Sequence, residues 1–458
     1  MPLFSDDIQN YFVTVSSGEK VKYVNLDNAA TTPPFRSVQE KVERYLNSYG
    51  SVHRGAGEKS KISTDQYEIS RDVIKKFVNA SSDYYVLYTG NTTGAMNAAA
   101  YFFSFLQGKV AVSGIEHSSS WLPWVKAEGI KKLGARQVVL NELKSCNDEI
   151  QKLGREQVLQ YEVNDFFEFD LSSVKKVFSN NNIKVFILTA SSNATGYCPD
   201  IKAIGEIVHQ HGAFFVVDAC QFIQHHKIDM QDMGIDFLAA SGHKFYAPYG
   251  GGFLVGPKSF FDQFISYEIG GGNLPYITAD GEFLRYQNQM AHDPGTPNAV
   301  GAIAMASAIE KIQELGLDYI EKYEKKLALM IFKALKRMTN VEVYVSEKHL
   351  STVIPFNIKG IKELEVANRL NDEFGIGVRA GSFCVYNVVR KLLCIHDESE
   401  IISNVKAGIE NSVPGFIRAS ISLCNDQRDI ERFIEAIEKI SNSVNSSHIG
   451  VLSELHEV

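Results

Sequence analysis

Asp218 and Lys244 are the residues of this chain whose types and settings most demand a chemical role. Asp218 closes the apolar run AFFVVD (213–218), and Lys244 follows 26 residues later within ASGHKFYAPYGGGFL (240–254). A carboxylate at the tip of a buried strand is costly unless a cation or hydrogen-bond donors meet it. Lysine resists burial, yet Lys244 lies between the runs FLAA and GGFLV. An amine desolvated there loses its charge readily and can act as a base or nucleophile. Other groups stand close in the chain. Thr92 and Thr93 follow VLYTG and open a helical pattern. Hydroxyls and backbone N–H groups at a helix start make a phosphate cradle, a plain threonine cap being the other reading. His117 follows KVAVSG, Gln221 comes three residues after Asp218, and Ser241 and His243 precede Lys244. Taken alone, a histidine after a strand is more often structural.

One ligand asks for this whole set. Pyridoxal 5'-phosphate has an aldehyde for a lysine amine, a cationic pyridine nitrogen for a carboxylate, a flat ring and a dianionic phosphate. Two further residues bear on its substrate. Arg418 lies in the apolar run FIRASISL (416–423). It offers a bidentate pair to a carboxylate, the alternative being a structural salt bridge. Cys384 ends VRAGSFC (378–384), on a segment whose Gly381 and Ser382 read as a loop. It is either a buried small hydrophobe or an exposed nucleophile, and Arg379 nearby favours thiolate.

The elements that must position these residues alternate. The runs at 86–88, 109–114, 184–190, 213–219 and 237–240 are apolar without polar alternation, as in strands covered on both faces. DIKAIGEIVHQHG reads as an amphipathic crossover helix ending at Gly212. The pattern is βαβ and predicts an α/β fold with a mostly parallel sheet, which binds ligands at the carboxyl ends of its strands. The flanks of Lys244 read as the core of a sheet edge. After about residue 300 long helical patterns and short strands follow, as in an α+β domain.

The chain has 458 residues, enough for two or three domains, and a formal net charge of -8. That charge does not fit a basic nucleic-acid footprint. Six cysteines show no CxxC and no zinc-like spacing, so no metal site and a reducing compartment are expected. The first residues, with two early acids, do not read as a signal peptide, and no apolar run is long enough to cross a membrane. A cytoplasmic protein without membrane or nucleic-acid partners is the expectation.

The ordered motifs extend this reading. LDNAATT (26–32), SVHRGAG (51–57), TGNTTGAMN (89–97), EHSSSW (116–121), SSNATG (191–196), VVDACQ (216–221), the Lys244 segment, PGTPN (294–298), VRAGSFC and IRASIS (417–422) occur in this order. With them the chain resembles the class V branch of fold-type I pyridoxal-phosphate transferases, and within it the cysteine desulfurases. The resemblance implies that Lys244 bonds to the cofactor aldehyde and Asp218 holds the pyridine nitrogen. Gln221 would hold the ring hydroxyl and His117 stack on the ring. Thr92, Thr93, Ser241 and His243 would bind the phosphate. Thr296 would reach the phosphate of a partner subunit, which implies a homodimer. Asn193 and Arg418, with Arg379 nearby, would hold the substrate carboxylate. His53 would line the pocket mouth, and Asn28 and Ala30 stand with the substrate residues. Cys384 would take sulfur from L-cysteine as a persulfide, leaving alanine, for delivery to an acceptor protein.

The resemblance also implies an N-terminal arm (1–23) on the small domain and a large cofactor domain (24–298). An α+β domain (299–443) and a loose tail (444–458) follow. Residues 141–171 read as an insertion. The chain departs from the family in Ser382 and Phe383 before the cysteine and in the long segment 385–417 with Cys394. Other class V reactions (lyase, epimerase, aminotransferase) and a non-catalytic cofactor-binding subunit are the alternatives.

Overall fold

The computed structural model describes residues 2–133, 143–161, 163–164 and 170–454. The chain forms two compact units. The larger comprises residues 34–191 and 198–317, and the smaller comprises 1–33, 192–197 and 318–458.

The larger unit is built on seven strands: β1 (Tyr84–Thr89), β2 (Lys109–Ser113), β3 (Val158–Tyr161), β4 (Ile183–Thr189), β5 (Phe214–Asp218), β6 (Phe237–Ser241) and β7 (Gly252–Pro257). Their order is β1-β7-β6-β5-β4-β2-β3. All neighbours pair in parallel except β7, which runs antiparallel to both β1 and β6. Every residue of β4 and β6 is buried, which explains their largely apolar sequence, Lys184 of β4 being buried as the ion-pair partner of Glu128. β6 and β7, on either side of Lys244, are therefore interior strands and not a sheet edge. Gly252 permits this: a Cβ there would lie 2.5 Å from Asn91 Cα, so the residues that leave β1 could not approach β7.

The helices of this unit include α1 (Arg36–Asn47), α2 (Glu58–Phe77), α3 (Thr92–Ser104), α4 (Ser118–Leu133), α5 (Leu143–Gln157), α6 (Leu171–Ser179), α7 (Ile201–Gln210) and α8 (Ala299–Leu315). α3 packs Ala95, Ala99, Phe102 and Phe103 into the sheet core with Trp124 and Phe237. The region 141–171 is part of this architecture and not an excursion from it, although residues 141–142, 162 and 165–169 lie outside the described ones. β3 extends the sheet beside β2. α5 crosses α4 at two glycines: a Cβ on Gly129 would fall 2.0 Å from Ile150 O, and one on Gly154 1.9 Å from Val125 O. The boundary expected at residue 298 also moves. α8 packs Ala299, Ala302 and Ile303 against Tyr45, Val52 and Tyr67, and so belongs with the larger unit.

The smaller unit has an antiparallel sheet of β8 (Val341–Val343), β9 (Val353–Ile358), β10 (Arg379–Gly381) and β11 (Phe416–Ser420), in the order β8-β9-β11-β10. Helices α9 (Leu317–Arg337), α10 (Glu363–Phe374) and α13 (Gln427–Glu454) build its core, and α11 (Tyr386–Leu392) and α12 (Ser399–Lys406) lie in the segment before β11. Residues 24–33, expected in the large domain, belong here instead. Val24 and Leu26 are buried in this core, and Val24–Asn25 pairs in parallel with Ile376–Gly377. The arm before them is tied to the same unit, since Ser16 N–H donates to Asp372 O and Arg432 to Lys22 O. The polar tail does not fall loose at residue 444: α13 continues to Glu454, because each added residue costs little once a helix is nucleated.

Candidate active site

In the larger unit, the carboxyl ends of β1, β2, β4, β5 and β6 carry the polar residues, as expected for a parallel sheet. Asn91, and not a threonine, caps α3 by accepting the Gly94 N–H at 3.0 Å. This leaves the two threonines to other partners. Thr92 N–H donates to Ser241 Oγ (3.1 Å), and its hydroxyl donates to Cys220 Sγ (3.1 Å). Thr93 Oγ1 lies 2.8 Å from Ser119 Oγ at the start of α4. The helix start, the ends of β5 and β6 and the start of α4 are thereby drawn together.

Asp218 is 4% exposed. Ser120 Oγ donates to one of its oxygens at 2.5 Å and Cys220 N–H to the other at 3.0 Å. These donors make the buried carboxylate tenable and leave it acceptor capacity for a cation. His117 Nδ1 accepts the Ser119 N–H at 3.1 Å, which directs the proton of the neutral ring to Nε2. Lys244 ends the single 3-10 turn Gly242–Lys244 that leaves β6, half-buried. Burial, and then the Lys244 charge, push the His243 pKa down to about 4, so this ring is neutral at ordinary pH and can donate an N–H. Burial raises the thiol of Cys220 although Lys244 opposes this. Gln221 is buried, and Thr296 is exposed in the loop that leads to Asn298, the cap of α8.

Glu116 was not legible as a site residue. It is buried beside Asp218, and its Oε1 accepts from Ser113 Oγ (2.6 Å) and Thr189 N–H (2.7 Å). Its Oε2 is buried with no partner. Burial raises its pKa to about 8, with the charge of Asp218 adding to the effect. The unfolded chain ionises this group near 4.5, whereas the fold keeps it protonated to about 8. The folded state therefore binds the extra proton, and stability falls as pH rises through that window. Glu116→Gln is expected to remove this slope. Relative to the parent, its stability should rise between pH 5 and 8 by at most about 5 kcal/mol, measured by urea unfolding.

In the smaller unit the central residue is Arg418, 2% exposed on β11. Its Nη2 donates to Asp27 Oδ1 and its Nη1 to Asn193 O, both at 2.9 Å. Its guanidinium lies 4.7 Å from the centre of the Phe383 ring. Arg379 faces Arg418 across the strand pair, and Asp27 Oδ2 accepts from it at 3.4 Å, so one carboxylate sits between two arginines. Burial lowers the Arg418 pKa to about 10 against the opposing pull of Asp27. The Nε of Arg418 is buried and makes no hydrogen bond among the described residues. Asp27 lies inside LDNAATT and was missed because its partner is 391 residues away.

Asn193 donates its side-chain N–H to Phe383 O at 2.9 Å. Asn28 is occupied structurally: its amide donates to Asn25 O, Ser420 O and Asn425 Oδ1. Ala30 N–H donates to Asp27 O. Phe383 is buried against Phe416, with ring centres 4.9 Å apart. Directly after this anchor Cys384 is exposed. Both residues are left-handed, with φ +51° and +59°, an uncommon conformation for such side chains. The phenylalanine that departs from the family pattern thus holds the cysteine loop in place.

The donor set fits pyridoxal phosphate: a half-buried amine, a buried carboxylate with donors already in place, and hydroxyl and N–H groups at the start of a thirteen-residue helix. Among the described residues no group of three His, Cys, Asp or Glu side chains is placed to hold a metal ion, and no helix is long and apolar enough to cross a membrane. The family model of aminotransferase class-V matches residues 24–156 and 144–433. The chain belongs to the class-V aminotransferase family. This class-V chain is 32% identical over 421 residues to a probable cysteine desulfurase of Halalkalibacterium halodurans, covering 91% of the chain and 92% of that protein. It is 31% identical over 438 residues to a probable cysteine desulfurase of Pyrococcus abyssi, covering 93% and 96%. Among solved structures, the apo cysteine desulfurase of Thermococcus onnurineus NA1 is similar with a TM-score of 0.76 at 29% identity, over 92% of this chain and 95% of that one.

Proposed function

We propose that this class-V chain is a pyridoxal-phosphate-dependent cysteine desulfurase that converts L-cysteine to L-alanine and keeps the sulfur as a persulfide on Cys384. The observation that carries this reading is the exposed, left-handed Cys384 held one residue beyond Phe383, whose carbonyl and ring engage Asn193 and Arg418. The named relatives support the choice of substrate.

The cofactor would be held by Lys244 at its aldehyde, Asp218 at the pyridine nitrogen, Gln221 at the ring hydroxyl and His117 on the ring face. Thr92, Thr93, Ser241 and neutral His243 would hold its phosphate, with Thr296 serving the partner subunit of a homodimer. When bound, it supplies a sink for the electrons released at the substrate α-carbon. Arg418 takes the substrate carboxylate through Nε and orients it, with Asn193 and Arg379. Lys244, as a neutral amine, removes the α-proton and can return a proton to carbon. Cys384 thiolate attacks the substrate sulfur. A sulfur–sulfur bond forms, the carbon–sulfur bond breaks, and its electron pair stays with carbon, which is protonated to the methyl group of alanine. An acceptor protein would then take the persulfide sulfur. The sparse cysteines, none of them in a disulfide, suit a reducing, cytoplasmic setting.

Incubating the holoenzyme with a panel of amino acids tests this. Cysteine alone should give alanine and, with a reductant present, sulfide in equal amounts. Formation of keto acid from cysteine or another amino acid would replace the reading with an aminotransferase.

A further inference from the structure

One face of α2 carries a chain of polar contacts that the reaction described above does not use. Thr64, Glu68 and Arg71 recur on it at helical spacing. His53, in the loop before α2, has φ +71° and donates its N–H to Thr64 Oγ1 at 2.7 Å. Its Nε2 lies 2.6 Å from Glu68 Oε1. Both Glu68 oxygens accept from Arg71 Nη1 at 3.3 Å. Arg71 is buried, lies 4.7 Å from the centre of the Tyr67 ring, and donates through Nη2 to Asp293 Oδ2 at 2.5 Å. Tyr67 Oη donates to the other Asp293 oxygen at 3.2 Å. Asp293 leads directly into the loop of Thr296. Although burial acts to raise the Glu68 carboxyl, hydrogen bonding from His53 and the Arg71 charge outweigh it and hold the group below its usual range.

We propose that Glu68 is a positioning residue for His53, and that Arg71 locks Glu68 and thereby couples the His53 loop to the Thr296 loop. An imidazole whose Nε2 faces a fixed carboxylate has its ring plane and tautomer set, with the proton on Nε2 and the Nδ1 lone pair available. His53 Nδ1 has no partner among the described residues. The arrangement is that of a histidine prepared to accept a proton or a hydrogen bond from a substrate, here on a backbone conformation that only its neighbours maintain. The role in turnover rests on the desulfurase reading; the geometry does not.

The test has two arms. In apoprotein labelled with 15N-histidine, His53 should show the Nε2–H tautomer, and Glu68→Ala should abolish that preference. Glu68 is 45% exposed, so this variant is expected to fold. In the holoenzyme, Glu68→Ala and His53→Ala should each lower kcat/KM for cysteine about 10- to 100-fold, with the cofactor's visible band retained. The double variant should be no worse than His53→Ala. Multiplying losses, full activity of Glu68→Ala, or an unchanged His53 tautomer would overturn the proposal. If the parent protein does not turn over cysteine at all, the functional reading has failed, and the tautomer arm still decides the role of Glu68.

Discussion

Replacing Cys384 by serine should leave a folded protein that binds its cofactor and L-cysteine but forms alanine at least about 10³-fold more slowly. The expected size follows from chemistry. A thiolate is present in a useful fraction near neutral pH and attacks sulfur well, whereas a serine hydroxyl has neither property without an adjacent base. The exchange should cost little stability, because Cys384 is exposed and Phe383, packed on Phe416, anchors the loop beside it. The left-handed backbone at residue 384 is no harder for serine than for cysteine. The decisive pair of measurements is the cofactor's absorbance on adding cysteine and the yield of alanine afterwards. Loss of alanine with an unchanged absorbance response places the defect at sulfur transfer. Undiminished alanine from Cys384→Ser would end the desulfurase reading, leaving a class-V enzyme that cleaves or transfers by another route.

The parts that sequence pattern could and could not reach differ in physical kind. Strands such as β4 and β5 are legible because a strand buried on both faces is mostly apolar, with a charge such as Lys184 tolerated only beside a buried partner, here Glu128. In the sequence β7 reads as lying at a sheet edge, and the glycines that lead into it, Gly250 to Gly252, as turn material. Of these, Gly250 does turn, at φ +68°, while Gly252 makes room for Asn91 inside a strand. The polar stretch 141–171 concealed an edge strand, since β3 needs burial on fewer sides and tolerates Gln160. The site follows the same division. Asp218 and Lys244 could be read because each is an ionisable group in an apolar run. Glu116 and Asp27 could not, since their importance lies in partners that only folding supplies: Ser113 and Thr189 for the first, Arg418 and Arg379 for the second. Asn28 shows the converse. A polar residue within a family motif can be occupied in joining its own turn to the end of β11.

Lys244→Ala should lower kcat on cysteine by about four orders of magnitude or more while leaving the cofactor bound without a covalent link. On the proposed reading the lysine would combine two parts that no neighbour duplicates, the amine for the aldehyde and the base for the α-proton. His243 cannot readily take over as a cation, because burial, the larger cause of its lowered pKa, persists without Lys244 and favours the neutral ring. Cys220 cannot take over as a base, because burial keeps it a thiol. Asp218, Ser241 and the start of α3 remain, so cofactor affinity should fall less than turnover does. The turn itself should survive, since Phe245 N–H and Ala247 N–H both donate to Gly242 O and neither bond involves the lysine side chain. Reduction with borohydride followed by peptide mapping should find the cofactor on Lys244 in the parent and nowhere in the variant. A small primary amine in solution should restore part of the activity by supplying the missing base, at a rate limited by the lost proximity. Labelling of a different lysine in the parent would show that the Gly242–Lys244 turn serves only to join β6 to β7.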